Sequence, residues 1–212
     1  MGFDAIWISP IVQNNDLRTK THEIDGYHGY WASDFDALNE KFGTESELIS
    51  LISKAHQMDI LVMLDVVANH VGYVDSNPVE IKSVKDKKEY KQIEDFSKIK
   101  PFDKAEYYHK MCEIHDWNDI WQLENCRLCG LPDLDQDHEF VKDYLLNWIQ
   151  KTVQKYKFDG IRIDTLGHVS KEFWAEYAEA SGVFQMGECL KNEEDFVAPY
   201  QNYVSSVFDV PL

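Results

Sequence analysis

Short apolar runs alternate along this chain with longer stretches of helical period, and that alternation restricts the fold more than any other feature. Ala5-Ile6-Trp7-Ile8, Ile60-Leu61-Val62-Met63-Leu64, Gly160-Ile161-Arg162-Ile163-Asp164, Val183-Phe184-Gln185-Met186 and Val207-Phe208-Asp209-Val210 read as strands. Between the first two, Thr44 answered by Glu47 forms a capping box, followed by Leu48, Ile49, Leu51, Ile52 and Ala55 on one predicted face. A second helix is expected from Glu139 to Tyr156, with Phe140, Val141, Tyr144, Leu145, Trp148 and Ile149 at i, i+3, i+4 spacing. A third starts near Ser170 and carries Phe173, Trp174 and Tyr177. Strand–helix–strand order demands parallel strands joined by right-handed crossovers, so the fold class is α/β. The interval 71–135 breaks the rhythm, with a charged, weakly apolar first half and a cysteine-bearing second half. It reads as an irregular insertion that divides the chain into 1–70, 71–135 and 136–212. In barrels such insertions sit on the catalytic face.

The polar residues that follow the strands carry the chemistry. Asp65, Asn69 and His70 follow one strand, Arg162 and Asp164 end another, and Glu188 closes a third after Gly187. Alternation puts Ile161 and Ile163 on one face of their strand and Arg162 and Asp164 on the other. An Arg beside an Asp keeps it ionised, and an ionised Asp near a protonatable carboxyl such as Glu188 is the pairing that glycoside hydrolysis uses. The competing reading of Arg162 and Asp164 is a buried ion pair with no chemistry. His28, Tyr30 and Trp31 form either a packed aromatic turn or a stacking surface for a sugar ring. Asn69, Glu124 and Asp133 offer oxygens to a hard cation or simply face solvent.

Charge narrows the partners. With 38 acidic and 21 basic residues the formal net charge is −17, which disfavours phosphate backbones and anionic membrane surfaces. No apolar run approaches a membrane span, and no basic segment at the start suggests a signal peptide. Cys112, Cys126, Cys129 and Cys189 allow three full pairings; the reading adopted is one disulfide and two buried thiols, with a zinc site disfavoured.

Asp65-Val66-Val67-Ala68-Asn69-His70, Gly160-Ile161-Arg162-Ile163-Asp164-Thr165 and Gly187-Glu188 resemble the first three signature regions of the α-amylase family, in the family's order. Tyr27-His28-Gly29-Tyr30-Trp31 and Leu131-Pro132-Asp133-Leu134-Asp135 resemble two further segments of fungal-type members. The resemblance implies a partial (β/α)8 barrel, about strands 2 to 6, with the inserted subdomain after the third barrel strand. It implies Asp164 as nucleophile, Glu188 as general acid and base, and Arg162 as the partner that aims Asp164. His28, Tyr30, Trp31, His70 and His168 would bind the sugar. Ca2+ would be held by Asn69 and Asp133 side chains and by the Glu124 and His168 carbonyls. A Cys112–Cys126 disulfide would join the insertion, pointing to an extracellular or lysosome-like location.

The implied substrates are starch, glycogen or maltooligosaccharides, cut at internal α-1,4 bonds, by a protein expected to be a monomer. An α-glucosidase or transglycosylase of the same family, and a non-catalytic carbohydrate-binding remnant, are the alternatives. Two departures from fungal-type members concern subsites: Gly167 stands where a Lys is usual, and Cys189-Leu190-Lys191 follows Glu188. No Asn-His-Asp matches the fourth signature, which holds a third carboxylate. The chain is therefore expected to be a fragment, poorly stable and inactive alone, because five or so strands cannot close an eight-stranded barrel.

Overall fold

The computed structural model of the protein describes residues 2–15, 26–84 and 87–208, and for 77–92 the backbone alone. The chain begins with β1 (Ala5–Ile8), β2 (Val12–Asn14), β3 (Ala32–Leu38), α1 (Glu45–His56) and β4 (Leu61–Val66). It continues through β5 (Asp75–Val84), β6 (Lys87–Asp95), α2 (Ile120–Asn125), α3 (Glu139–Tyr156) and β7 (Gly160–Ile163). It closes with α4 (Lys171–Ser181), β8 (Phe184–Gly187), α5 (Glu194–Val197) and β9 (Ser206–Val207). The main sheet has the order β1-β4-β7-β8-β9, with every neighbouring pair parallel. Five parallel strands with helices between them make the partial α/β barrel that the strand–helix alternation called for. The last expected strand is shorter than its sequence run, and Asp209 and Val210 lie outside the described residues.

Burial explains why these elements hold together. Val62, Leu64, Ile161 and Ile163 bring their side chains into one core with Val141, Leu145 and Ile149 of α3 and Phe173, Trp174 and Tyr177 of α4. Deep burial on both faces suits apolar, β-branched residues and is the usual state of a parallel strand. The capping box of α1 is present, with Glu47 N donating to Thr44 Oγ1 at 3.3 Å and Thr44 N to Glu47 Oε2 at 2.8 Å. Ser170 caps α4 by accepting from Phe173 N at 3.3 Å.

The predicted inner face of α1 is narrower than expected. Ile52 and Ala55 are buried, but Ile49 and Leu51 remain 45% and 46% exposed. At 3.6 residues per turn Leu48, Ile52 and Ala55 form one line, while Ile49 and Leu51 fall on either side of it.

The stretch between β4 and α3, to which the sequence assigned no regular elements, contains an antiparallel hairpin of β5 and β6. Its open end is tied by Arg127, whose Nη1 and Nη2 each donate to a Glu94 carboxylate oxygen at 2.6 Å. Cys112 and Cys126 form the disulfide. Cys189 is buried as expected, but Cys129 is exposed, which corrects the reading of two buried thiols. The left-handed backbone at Cys129 (φ 54°) and Gly130 (φ 76°) makes a surface turn that carries the thiol out. The disulfide closes a separation of 14 residues, so its reduction is expected to lower stability. A loss of about 3 kcal/mol follows for a loop of this size, read from urea unfolding with and without dithiothreitol.

Candidate active site

Parallel strands end together, and three of them deliver polar side chains to one place. β4 and β7 pair Asp65 opposite Arg162, and β7 and β8 pair Ile163 opposite Gly187, so Asp164 and Glu188 follow side by side. Gly187 permits this approach: a Cβ there would come within 2.5 Å of the Leu166 side chain. Thr165 turns the chain sharply through left-handed space (φ 51°), uncommon for a β-branched residue, and aims its N–H at Glu188 Oε2 at 3.4 Å.

Arg162 is the centre of the cluster. Its Nη1 donates to Asp65 Oδ1 at 2.9 Å and Asp164 Oδ1 at 2.8 Å, and its Nη2 lies 2.6 Å from Glu188 Oε1. Asp65 also accepts from the Tyr30 hydroxyl at 2.7 Å and from Trp7 Nε1 at 3.1 Å. The guanidinium lies over the Trp7 ring, 5.0 Å from its centroid, and 5.8 Å from that of Tyr30. Planar, permanently charged and rich in donors, it serves three carboxylates at once, which a lysine ammonium does with far less geometric control.

Three carboxyls around one cation cannot all hold ordinary pKa values. Burial opposes the Arg162 charge, but Asp65, Asp164 and Glu188 together raise its pKa. Burial pushes Asp65 up to about 6, with Arg162 opposing. Asp164 and Glu188 are both raised, in each case first by burial, and Arg162 works against the rise in both. The two carboxyls act on each other in opposite senses, toward the ionised form at Asp164 and toward the protonated form at Glu188. The pair therefore offers a carboxylate and a carboxylic acid on one guanidinium, one able to attack and the other able to give a proton.

The aromatic segment stands against this cluster. His28 stacks on Tyr30 with centroids 5.4 Å apart and meets Trp31 edge-on at 4.7 Å, while its Nδ1 accepts from Tyr30 N at 3.0 Å. Burial lowers the pKa of His28, and it lowers those of His70 and His168 to about 4. Neutral imidazoles can both donate to and accept from a hydroxyl, which suits an uncharged ligand.

Beside the site, the expected cation ligands partly converge. Leu134 N donates to Asn69 O at 2.9 Å and Val71 N to Pro132 O at 3.1 Å, laying 132–134 along 69–71. The Asn69 amide then sits 3.2 Å from Asp133 Oδ1 and 2.9 Å from the His168 carbonyl. With its nitrogen on that side, the amide donates to both oxygens and its own oxygen accepts from His70 Nδ1. Turned over, the amide would add a third oxygen, and oxygens of this hard kind are what Ca2+ takes. Among the described residues no group of three or more His, Cys, Asp or Glu side chains could hold a metal. Glu124 lies on α2, whose Leu123 lines the same cavity as His168. Burial pushes Asp133 up to about 7, and His109 Nδ1, at 2.7 Å, opposes that.

Trp7, Thr165 and His109 were not singled out from the sequence. Trp7 shares the strand-end position of the other site residues, which is a usable signal. Nothing local marks His109, 24 positions from Asp133.

The family model for the α-amylase catalytic domain matches residues 1–209. An α-amylase of Saccharomycopsis fibuligera is 36% identical over all of this chain and 40% of its own length. α-Amylase 1 of Schwanniomyces occidentalis is 36% identical, with 39% of its length covered. The solved α-amylase of Malbranchea cinnamomea superposes with a TM-score of 0.83 at 36% identity, over 99% of this chain and 42% of that one. The acarbose complex of the Geobacillus thermoleovorans α-amylase gives a TM-score of 0.80 at 34% identity, over 99% and 42%. The chain thus spans about 40% of the length of the curated relatives it matches.

Proposed function

The chain belongs to the α-amylase family, and from that premise we propose that it supplies two reacting carboxyls to a retaining cleavage of internal α-1,4-glucosidic bonds in starch, glycogen or maltooligosaccharides. The observation that carries this reading is the Arg162 guanidinium joined to Asp164 at 2.8 Å and to Glu188 at 2.6 Å, at the ends of adjacent parallel strands. In this mechanism Asp164 attacks the anomeric carbon while Glu188 protonates the departing glycosidic oxygen. Glu188, now ionised, then takes a proton from water, which releases the glucan from Asp164 with its α configuration retained. Arg162 keeps Asp164 ionised and aimed. Tyr30 stacks on the ring at the bond to be cut, with Trp31 supporting His28, and neutral His28, His70 and His168 bind hydroxyls. The acidic surface argues against nucleic acid and membrane partners, the disulfide suits an extracellular or lysosome-like compartment, and 71–135 is proposed as a subdomain between barrel parts 1–70 and 136–212.

The alternative reading is carbohydrate binding without cleavage. Maltopentaose titration by calorimetry, followed by proton NMR of the mixture, separates the two. Binding with first release of α-anomeric product supports catalysis, and binding without release selects carbohydrate binding alone. Release of the β-anomer, or no binding, defeats the proposal. The size distribution of the products tells an endo-acting amylase from an α-glucosidase or transglycosylase.

The proposed cation is Ca2+, held by Asn69 and Asp133 side chains with the His168 and Glu124 carbonyls, and when bound it would tie 71–135 to the barrel strands. Stability is expected to rise by about 2.7 kcal/mol when Ca2+ reaches 100 times its Kd. Thermal melts with Ca2+ and with a chelator measure this. The increment should vanish in Asp133→Ala; an equal increment in that variant would remove Asp133 from the ligand set.

A further inference from the structure

A cavity of about 200 Å3 opens beside Glu188, lined by Thr165, His168 and Lys191 on one side and by Trp117 and Leu123 on the other. The two walls come from parts of the chain far apart in sequence, and Lys191 joins them. Its Nζ donates to the Trp117 carbonyl and, at 3.4 Å, to Asn118 Oδ1. The same ammonium lies 5.4 Å from the centre of the Phe196 ring, which backs it from α5. On the far wall the Trp117–Asp119 turn is already held at both ends. Asn118 N donates to Asp116 Oδ1 at 2.9 Å, and Asp119 caps α2 by accepting from Trp121 N at 3.0 Å. What these local bonds do not fix is the distance of the turn from Glu188. The Trp117 ring, 49% exposed and edge-on to His168 at 6.2 Å, presents an apolar surface at the cavity.

We propose that Lys191 is a positioning residue that determines specificity: by tying the Trp117–Asn118 turn to the loop after β8 it sets the width of the cavity beside Glu188. A further stretch of α-glucan chain is then seated there. This rests on the α-glucan reading of the site given above. The acceptors on the turn are a backbone carbonyl and a side-chain amide oxygen, so only a donor can hold it, and a charged donor does so with about twice the strength of a neutral one. The flat CH face of a pyranose meets the Trp117 ring, while its hydroxyls meet the polar opposite wall.

The test compares the 212-residue protein with Lys191→Ala and Lys191→Arg, each checked for folding by circular dichroism. Acrylamide quenching of the fluorescence removed by Trp117→Phe reports the turn, and calorimetry reports maltose and maltopentaose binding. Lys191→Ala is expected to raise the quenching of the Trp117 component and to weaken maltopentaose about tenfold, with maltose held within about twofold. Lys191→Arg, which keeps charge and donors, should stay near the unmodified protein on both measures. If the Ala variant does not fold, Lys191→Gln replaces it, with an expected weakening of about threefold. Unchanged quenching, unchanged maltopentaose affinity, or equal weakening of maltose and maltopentaose overturns the proposal. Failure of the unmodified protein to bind any maltooligosaccharide is a different result: it overturns the glucan reading of the site and takes this proposal with it.

Discussion

Arg162→Ala is expected to lower the unfolding free energy by about 3–5 kcal/mol at neutral pH. The reason is not the bonds lost but the groups left behind. Arg162 is 3% exposed and Asp65 1% exposed, so removing the guanidinium strands Asp65 in the interior beside two further carboxyls. The deficit should shrink as the solution is acidified. Asp65 already titrates in the folded protein at about 6, above its usual value of 3.8, and without Arg162 the carboxyl would be raised further. A carboxyl raised by folding favours the folded state below its unfolded pKa and loses that advantage as pH rises through the folded one. The variant should therefore recover stability as the pH is lowered from about 7 toward 4. Urea unfolding at several pH values measures it, and a deficit that does not change with pH would show that the loss is one of packing.

In a protein that contains this chain and cleaves starch, Glu188→Gln is expected to reduce kcat by about 10²–10⁴-fold on starch, the range of a removed general acid. The amide keeps the size and hydrogen-bonding reach of the side chain but has no proton to give and cannot activate water. Substrates whose leaving group departs without protonation should lose much less in the first step, so an activated aryl maltoside should accumulate a glycosyl-enzyme on Asp164. Mass spectrometry of the Asp164 peptide reads that directly. Equal losses on starch and on the activated substrate would take the acid role away from Glu188.

Much of this architecture is legible in the residues themselves, because strand and helix signals act locally. Thr44 with Glu47, and Ser170 before Phe173, announce helix starts whose hydrogen bonds the structure contains. Gly160 to Asp164 displays its alternation openly, and the pairing of Arg162 with Asp164 follows from it. The hairpin of β5 and β6 is not legible, since Asp75 to Asp95 is dominated by charged and polar residues and offers no two-residue period. The site is legible to the extent that strand ends mark it. Trp7 and His109 enter only through tertiary contacts, Trp7 across 58 residues to Asp65 and His109 across 24 to Asp133. The oxygens around Asn69 likewise meet through three separate loops, which a reading of spacing does not bring together.

A slip of β7 by one residue would turn Arg162 and Asp164 toward the helices and bring Ile161 and Ile163 onto the charged side. Apolar residues alone would resist such a slip weakly, because a strand buried on both faces by apolar neighbours tolerates either orientation. The guanidinium removes that tolerance. Only one alignment of β4 against β7 meets Asp65 with Arg162, across 97 residues of chain, and every other leaves an unpaired charge in the interior. The cluster thus ties register to charge: a chain that has brought Asp65, Asp164 and Glu188 onto Arg162 has by the same act aligned β4, β7 and β8.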